Sequence, residues 1–220
     1  MLGYCIILAR FTFVYYKMII GFSGPKGCGK DLAYQIIKEQ FPDKKIEKIA
    51  FADPIKQFLC SLLNIDIDTY DKLKRVQKLS LVDQDTNQTL TTIPGRQLVR
   101  EIGMKMRDYD EEQFNRYVYQ QVASNPDTIY VCTDVRFENE VNLIMDICNG
   151  AIVLIEREGY NYDNHVTEQK ISRYTYKIKN DTLEQYRHDV CEVFKAVTAH
   201  HWVLYGDDAK IEDQFKLTSY

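Results

Sequence analysis

The stretch Met18-Ile19-Ile20-Gly21-Phe22-Ser23-Gly24-Pro25-Lys26-Gly27-Cys28-Gly29-Lys30-Asp31 decides how this chain is read. An apolar run ends at Ser23, a turn of the form G-x-x-x-x-G-K follows, and Leu32, Ile36, Ile37 and Phe41 then recur at helical spacing. A buried strand, a tight loop and an amphipathic helix are predicted in that order. Glycines let such a loop curl until its N–H groups converge, and the helix behind it turns its positive dipole end toward the same point. The pattern predicts a phosphate cradle built from Gly24, Gly27, Cys28 and Gly29, with Lys30 reaching the outer phosphates of a triphosphate. A dinucleotide loop fits less well, because its G-x-G-x-x-G spacing is absent and the Gly29-Lys30 pair belongs to a triphosphate loop.

Beyond the loop, short β-rich runs alternate with helical periodicity, the mark of crossover units and a parallel sheet. Strands are predicted at Ile46–Phe51, Thr128–Thr133, Ala151–Glu156 and Tyr176–Lys179. One helix opens at Asp53-Pro54, with Asp53 as cap and Ile55, Phe58, Leu59 and Leu62 inward. Others cover Arg96–Arg107 and Glu111–Ala123, the second with Phe114, Tyr117, Val118 and Val122 inward. The last opens on the capping-box spacing Thr182-Leu183-Glu184-Gln185 and turns Leu183, Tyr186, Val190 and Phe194 inward. Gln84–Thr92 is polar and weakly periodic, and reads as an exposed loop.

The chain has 220 residues, of which 45% are apolar and 27% charged, enough for one well-buried domain. A net charge of −4 without blocks of like charge argues against polymeric nucleic acid as partner and leaves a small anion open. Six cysteines without C-x-x-C spacing indicate reduced thiols rather than zinc or a redox pair, so cytoplasm is the expected compartment, the host's if the protein is viral. Arg10 and Lys17 interrupt the apolar N-terminus, which argues against a membrane span. The expected organisation is an extension over 1–17 upstream of a start at Met18, an added strand or helix being the other reading. A single domain follows over 18–200, with a helical insertion at 64–125 and a lid at 157–175, and then a tail over 201–220.

Several segments in order resemble the phage-type deoxynucleoside monophosphate kinases, a P-loop family. They are Gly29-Lys30-Asp31, Phe51-Ala52-Asp53-Pro54-Ile55-Lys56, Gly95-Arg96-Gln97-Leu98 with Gly103, and Thr133-Asp134-Val135-Arg136-Phe137-Glu138-Asn139-Glu140. Arg157, His165-Val166-Thr167-Glu168 and Ile178-Lys179-Asn180-Asp181 complete the set, which spans Met18 to about Phe194. The chain departs from the family at Leu32, where Thr commonly stands, and at Arg100, where Gln does. The resemblance implies an α/β nucleoside-monophosphate-kinase-like fold with a parallel sheet flanked by helices, an inserted helical acceptor region and a lid. The implied reaction is ATP-dependent phosphorylation of deoxynucleoside 5′-monophosphates to diphosphates for DNA precursor supply, with Mg²⁺. A kinase of another small phosphate, such as phosphomevalonate, and a non-catalytic nucleotide-binding protein are the alternatives. A homodimer is left open.

Such a transfer needs charge neutralisation more than a base, because an acceptor phosphate with a second pKa of about 6 is already mostly dianionic at neutral pH. Lys30, Arg136 and Arg157 are the expected catalytic cations. Asp31 and Asp134 are the expected Mg²⁺ residues. A carboxylate opposing the helix dipole at Asp31 and a plain helix cap at Asp134 are the structural alternatives. On the acceptor side stand Asp53, Lys56, Arg96, Arg100 and Arg136. Arg96 and Arg100 lie one turn apart, either toward a phosphate or toward solvent. Asn180 marks either the adenine loop or a strand-to-helix turn.

Overall fold

The structure, a computed structural model, describes residues 18–75, 79–82, 85–93, 95–162 and 170–205, with backbone alone for 73–75, 79–82, 90–93, 95–96 and 200–205. The 1–17 extension, the box at His165 and Glu168, and residues 206–220 lie outside the described residues.

Five strands, β1 (Ile19–Ser23), β2 (Ile46–Ile49), β5 (Ile129–Cys132), β6 (Ala151–Glu156) and β7 (Tyr176–Lys179), form one parallel sheet in the order β2-β5-β1-β6-β7. Successive side chains of a strand point to opposite faces, so near-continuous apolar strands such as β1 and β6 require cover on both. Ile19, Ile152 and Leu154 face one layer, and Ile20, Phe22, Val153 and Ile155 face the other. The first layer holds α2 (Asp53–Leu63), α3 (Ile67–Arg75), α4 (Gly95–Tyr109), α5 (Gln113–Ser124) and the short α6 (Glu138–Asn142), which continues as a π-helical turn over Leu143–Ile147. The second holds α1 (Lys30–Gln40) and α7 (Leu183–Tyr205), joined where the Phe41 and Phe194 rings meet at 4.5 Å. The expected tail therefore begins inside a helix.

Four local expectations change. Gln84–Thr92 is not all loop: β3 (Leu79–Val82) pairs antiparallel with β4 (Thr89–Ile93), so the insertion carries a hairpin besides its helices. Asp53 does not cap α2. Ala52 occupies that position, and Asp53 stands within the first turn with Oδ2 accepting from the Ala50 N–H at 2.9 Å. Phe58 and Leu62 are 50% and 66% exposed rather than inward, because that helix turns Ile55, Leu59 and Cys60 to the core instead. Leu183 is likewise exposed. Its neighbour Thr182 accepts from the Gln185 N–H at 3.3 Å, so half of the expected capping box is made.

Candidate active site

β1 delivers the loop to the carboxyl edge of the sheet, at the point where β5 rather than the next strand in sequence lies beside it. Ligands of open α/β sheets bind at such a switch point. The buried Ser23 hydroxyl donates to Val135 O at 2.8 Å and ties the end of β1 to the segment leaving β5. Gly24, at φ 148, leaves no room for a side chain: a Cβ there would sit 2.5 Å from Ile155 O of β6. Gly29, at φ 117, ends the loop as the residue before α1, where a Cβ would meet Asn180 Nδ2 at 2.5 Å.

What faces the loop from outside explains its inside. Arg157 Nη1 donates to Gly27 O at 3.1 Å, Asn180 Nδ2 to Cys28 O at 2.7 Å, and the Tyr186 hydroxyl to Gly29 O at 2.9 Å. A trans peptide sets each carbonyl opposite the N–H of the next residue, so fixing these carbonyls outward turns the Gly29 and Lys30 amides inward. The first amides of α1 add to that concave surface, since a helix start leaves them without intrahelical partners. Lys30 Nζ lies on Gly24 O at 2.6 Å and Pro25 O at 2.8 Å, within the same curl. Burial pushes the Cys28 thiol up despite the nearby Lys30 ammonium, so Cys28 serves as neutral packing.

The two aspartates at this edge differ. Asp31 is 75% exposed, and its Oδ1 accepts from Lys48 Nζ at 2.6 Å and Thr133 Oγ1 at 3.0 Å. Partial desolvation would raise its carboxyl, but Lys48 and Thr133 outweigh it and hold the group below its ordinary value. Asp134 accepts from the amides of Phe51 and Ala52, each at 3.0 Å, pinning the β2–α2 turn to the end of β5. Asp134→Asn removes one of two carboxylate acceptors under a buried turn and is expected to lower unfolding free energy by about 1–3 kcal/mol. Asp31→Asn, at an exposed pair, is expected to change it by about 0–1 kcal/mol. Chemical denaturation of both variants checks the contrast, which equal losses would refute.

Of the residues expected on an acceptor side, Asp53 is raised above the usual carboxylate value by burial, with the Asp134 charge adding to it against the pull of the Ala50 amide. Lys56 Nζ pairs with Asp71 at 3.2 Å and lies 5.8 Å from the centre of the Tyr70 ring, so α3 covers it. Arg96 stands in the first turn of α4, and its side chain lies outside the described residues. Arg100 lines a cleft of 860 Å³ with Phe58 and other α4 residues, to which the loop contributes none. Arg136 follows Asp134 on the segment between β5 and α6, its amide held by Glu140 Oε2 at 2.7 Å. The Arg157 guanidinium stacks 4.5 Å from the Tyr160 ring centre. Among the described residues no three His, Cys, Asp or Glu side chains gather as a metal cluster, and no helix is long and apolar enough to cross a membrane.

The structure thus brings Lys30, Asn180 and Arg157 together on the loop, and Asp31 and Asp134 to neighbouring places on the sheet edge. Sequence reading missed the tasks of Tyr186, Lys48, Thr133, Glu140 and Arg107. Tyr186 read only as a core residue of a helix, and nothing local announces a hydroxyl that meets a carbonyl 157 positions earlier.

A glycine-rich loop between β1 and α1, at the switch point of a parallel sheet held between two helical layers, makes this a three-layered α/β fold with the loop at the carboxyl edge of its sheet. The chain matches no protein-family model and no curated protein. Among solved structures it is similar to a mutant APS kinase of Mycobacterium tuberculosis, with a TM-score of 0.38 and 10% identity over 82% of this chain and 98% of that one.

Proposed function

We propose that the chain is an ATP-dependent kinase whose acceptor is a deoxynucleoside 5′-monophosphate. The observation that carries this reading is the loop itself. Its carbonyls at Gly27, Cys28 and Gly29 are occupied from outside, which leaves inward amides and Lys30 as a preformed seat for the β and γ phosphates of ATP. An acceptor phosphate oxygen attacks the γ phosphorus as the bond to the β–γ bridging oxygen breaks, giving ADP and a nucleoside diphosphate. A dianionic acceptor has no proton to lose, so the work of the chain is to align two anions and neutralise them. Lys30 acts at the donor phosphates, where Arg157 would join it on leaving the Gly27 carbonyl that it holds from outside. Arg136, Lys56 and the α4 arginines Arg96 and Arg100 act at the acceptor, with Asp53 beside them, and Asn180 borders the adenine.

Mg²⁺ favours oxygen ligands and keeps several waters, needing one or two carboxylates besides the phosphates. The residues present fit that demand. Asp31, largely exposed beside the loop, would hold the ion, and Asp134, whose oxygens already accept two amides, would act on its waters. When bound, the ion neutralises charge on the transferring phosphoryl.

The test is an ATP-coupled assay across deoxynucleoside monophosphates, ribonucleoside monophosphates and phosphomevalonate, with and without Mg²⁺. Mg²⁺-dependent turnover confined to the deoxynucleotides is expected. Preference for phosphomevalonate would move the acceptor assignment, and turnover on none would favour a binding protein.

A further inference from the structure

Glu140 has only 1% of its side chain exposed and no task in the phosphate chemistry above. Its Oε1 pairs with Arg107 Nη2 from α4, and its Oε2 accepts from the amides of Arg136 at 2.7 Å and Phe137 at 3.1 Å. Arg107 is itself 12% exposed, its guanidinium 3.9 Å from the ring centre of Phe137 and 4.8 Å from that of Phe114. One buried carboxylate therefore grips two separate pieces of the molecule: the backbone that presents Arg136 and the helix that presents Arg96 and Arg100.

The periodicity of α4 makes this grip consequential. Arg96, Arg100, Gly103 and Arg107 stand at i, i+4, i+7 and i+11, on one stripe of the helix. Gly103 marks where that stripe meets α2, since a Cβ there would lie 2.8 Å from Ile55 Cδ1. Turning or sliding α4 enough to redirect its arginines would break the Arg107–Glu140 pair.

Stability alone does not account for the pair. Burial pushes the Glu140 carboxyl up, Arg107 pulls it back, and with the charge of Asp134 opposing ionisation it comes to about 7, against an ordinary value of 4.5. A folded carboxyl that holds its proton more tightly than the unfolded one adds stability at low pH. That contribution declines as pH rises through the same window. Buried ion pairs are also often replaceable by apolar residues without loss.

We propose that Glu140 and Arg107 form a positioning pair that sets the Arg136 segment and the arginine stripe of α4 at the spacing needed to hold one acceptor phosphate between them. This rests on the kinase reading.

The experiment is steady-state kinetics on the full chain with each of the four DNA nucleoside monophosphates, comparing Glu140→Gln and the charge-free double variant Glu140→Gln/Arg107→Met. Loss of alignment is expected to raise KM for the monophosphate about 10-fold, or to lower kcat/KM by as much as about 100-fold, while KM for ATP moves less than about 2-fold. The double variant keeps the test open if Glu140→Gln alone fails to fold, because it leaves no buried charge unpaired. A folded double variant with kcat and both KM values unchanged, or with both KM values raised equally, overturns the proposal. Calorimetric titration with inorganic phosphate on the chain saturated with a non-hydrolysable ATP analogue, which fills the loop, needs no turnover and separates the two possible failures. Phosphate binding by a wild-type chain that turns over none of the four, lost in the double variant, sinks the kinase reading and keeps the positioning pair. Unchanged phosphate binding in the double variant, or none in the wild type, sinks the pair.

Discussion

Lys30→Ala is expected to leave the chain folded and to lower turnover by about 10²- to 10³-fold, the scale of losing one preorganised charge at a developing anion. The fold tolerates the change because the Lys30 ammonium touches the loop rather than the core. It donates to the carbonyls of Gly24 and Pro25 and lies 3.7 Å from Cys28 Sγ, all within the loop, and neither hydrophobic cluster includes it. The loop keeps its outward carbonyls through Arg157, Asn180 and Tyr186, so the seat for phosphate persists without its cation. Circular dichroism and single-turnover kinetics on one preparation check both halves of the expectation. A folded variant with near-normal turnover would remove the phosphate role from this loop.

Arg96→Lys should raise KM for the monophosphate about 10-fold, with a smaller fall in kcat, and leave KM for ATP within about 2-fold. Charge is retained, so long-range attraction changes little; what disappears is the planar fork that grips two phosphate oxygens at once. The position supports this division. Arg96 lies in the first turn of α4, whereas the ATP phosphates are assigned to the loop between β1 and α1. Initial-rate kinetics with each substrate varied at saturating levels of the other would show the asymmetry. Equal weakening toward both substrates would make Arg96 structural, and no change toward either would place it in solvent.

The aspartates show how a motif can be legible while its local physics is not. Both were readable as oxygen ligands, Asp31 otherwise as a carboxylate opposing the helix dipole and Asp134 as a cap, and the structure gives each a set of donors that neither alternative named. Asp31 meets Lys48 and Thr133, and Asp134 meets two amides of the turn after β2. The Phe51-Ala52-Asp53-Pro54 segment and Asp134 were both read as parts of one site. Nothing in their spacing indicated that one holds the other in place.

What the sequence determined by itself were the features set by local periodicity and local sterics. A glycine-rich turn between an apolar run and a 3.6-residue pattern suffices for strand, loop and helix, and the five strands of the sheet were all readable to within two residues at either end. The Thr89–Ile93 strand was not, because a run of threonines hides the alternation of a hairpin whose stability comes from its partner strand. Nor was the fate of Phe58 and Leu62, since helical spacing reveals an apolar face without saying what covers it. The tertiary structure alone decided the order β2-β5-β1-β6-β7, and with it which distant residues arrive behind the loop. Arg157, Asn180 and Tyr186 reach it from 130 to 157 positions away, and Glu140 meets Arg107 across 33. Those distances are closed by strand pairing and layer packing, which a residue's near neighbours do not encode.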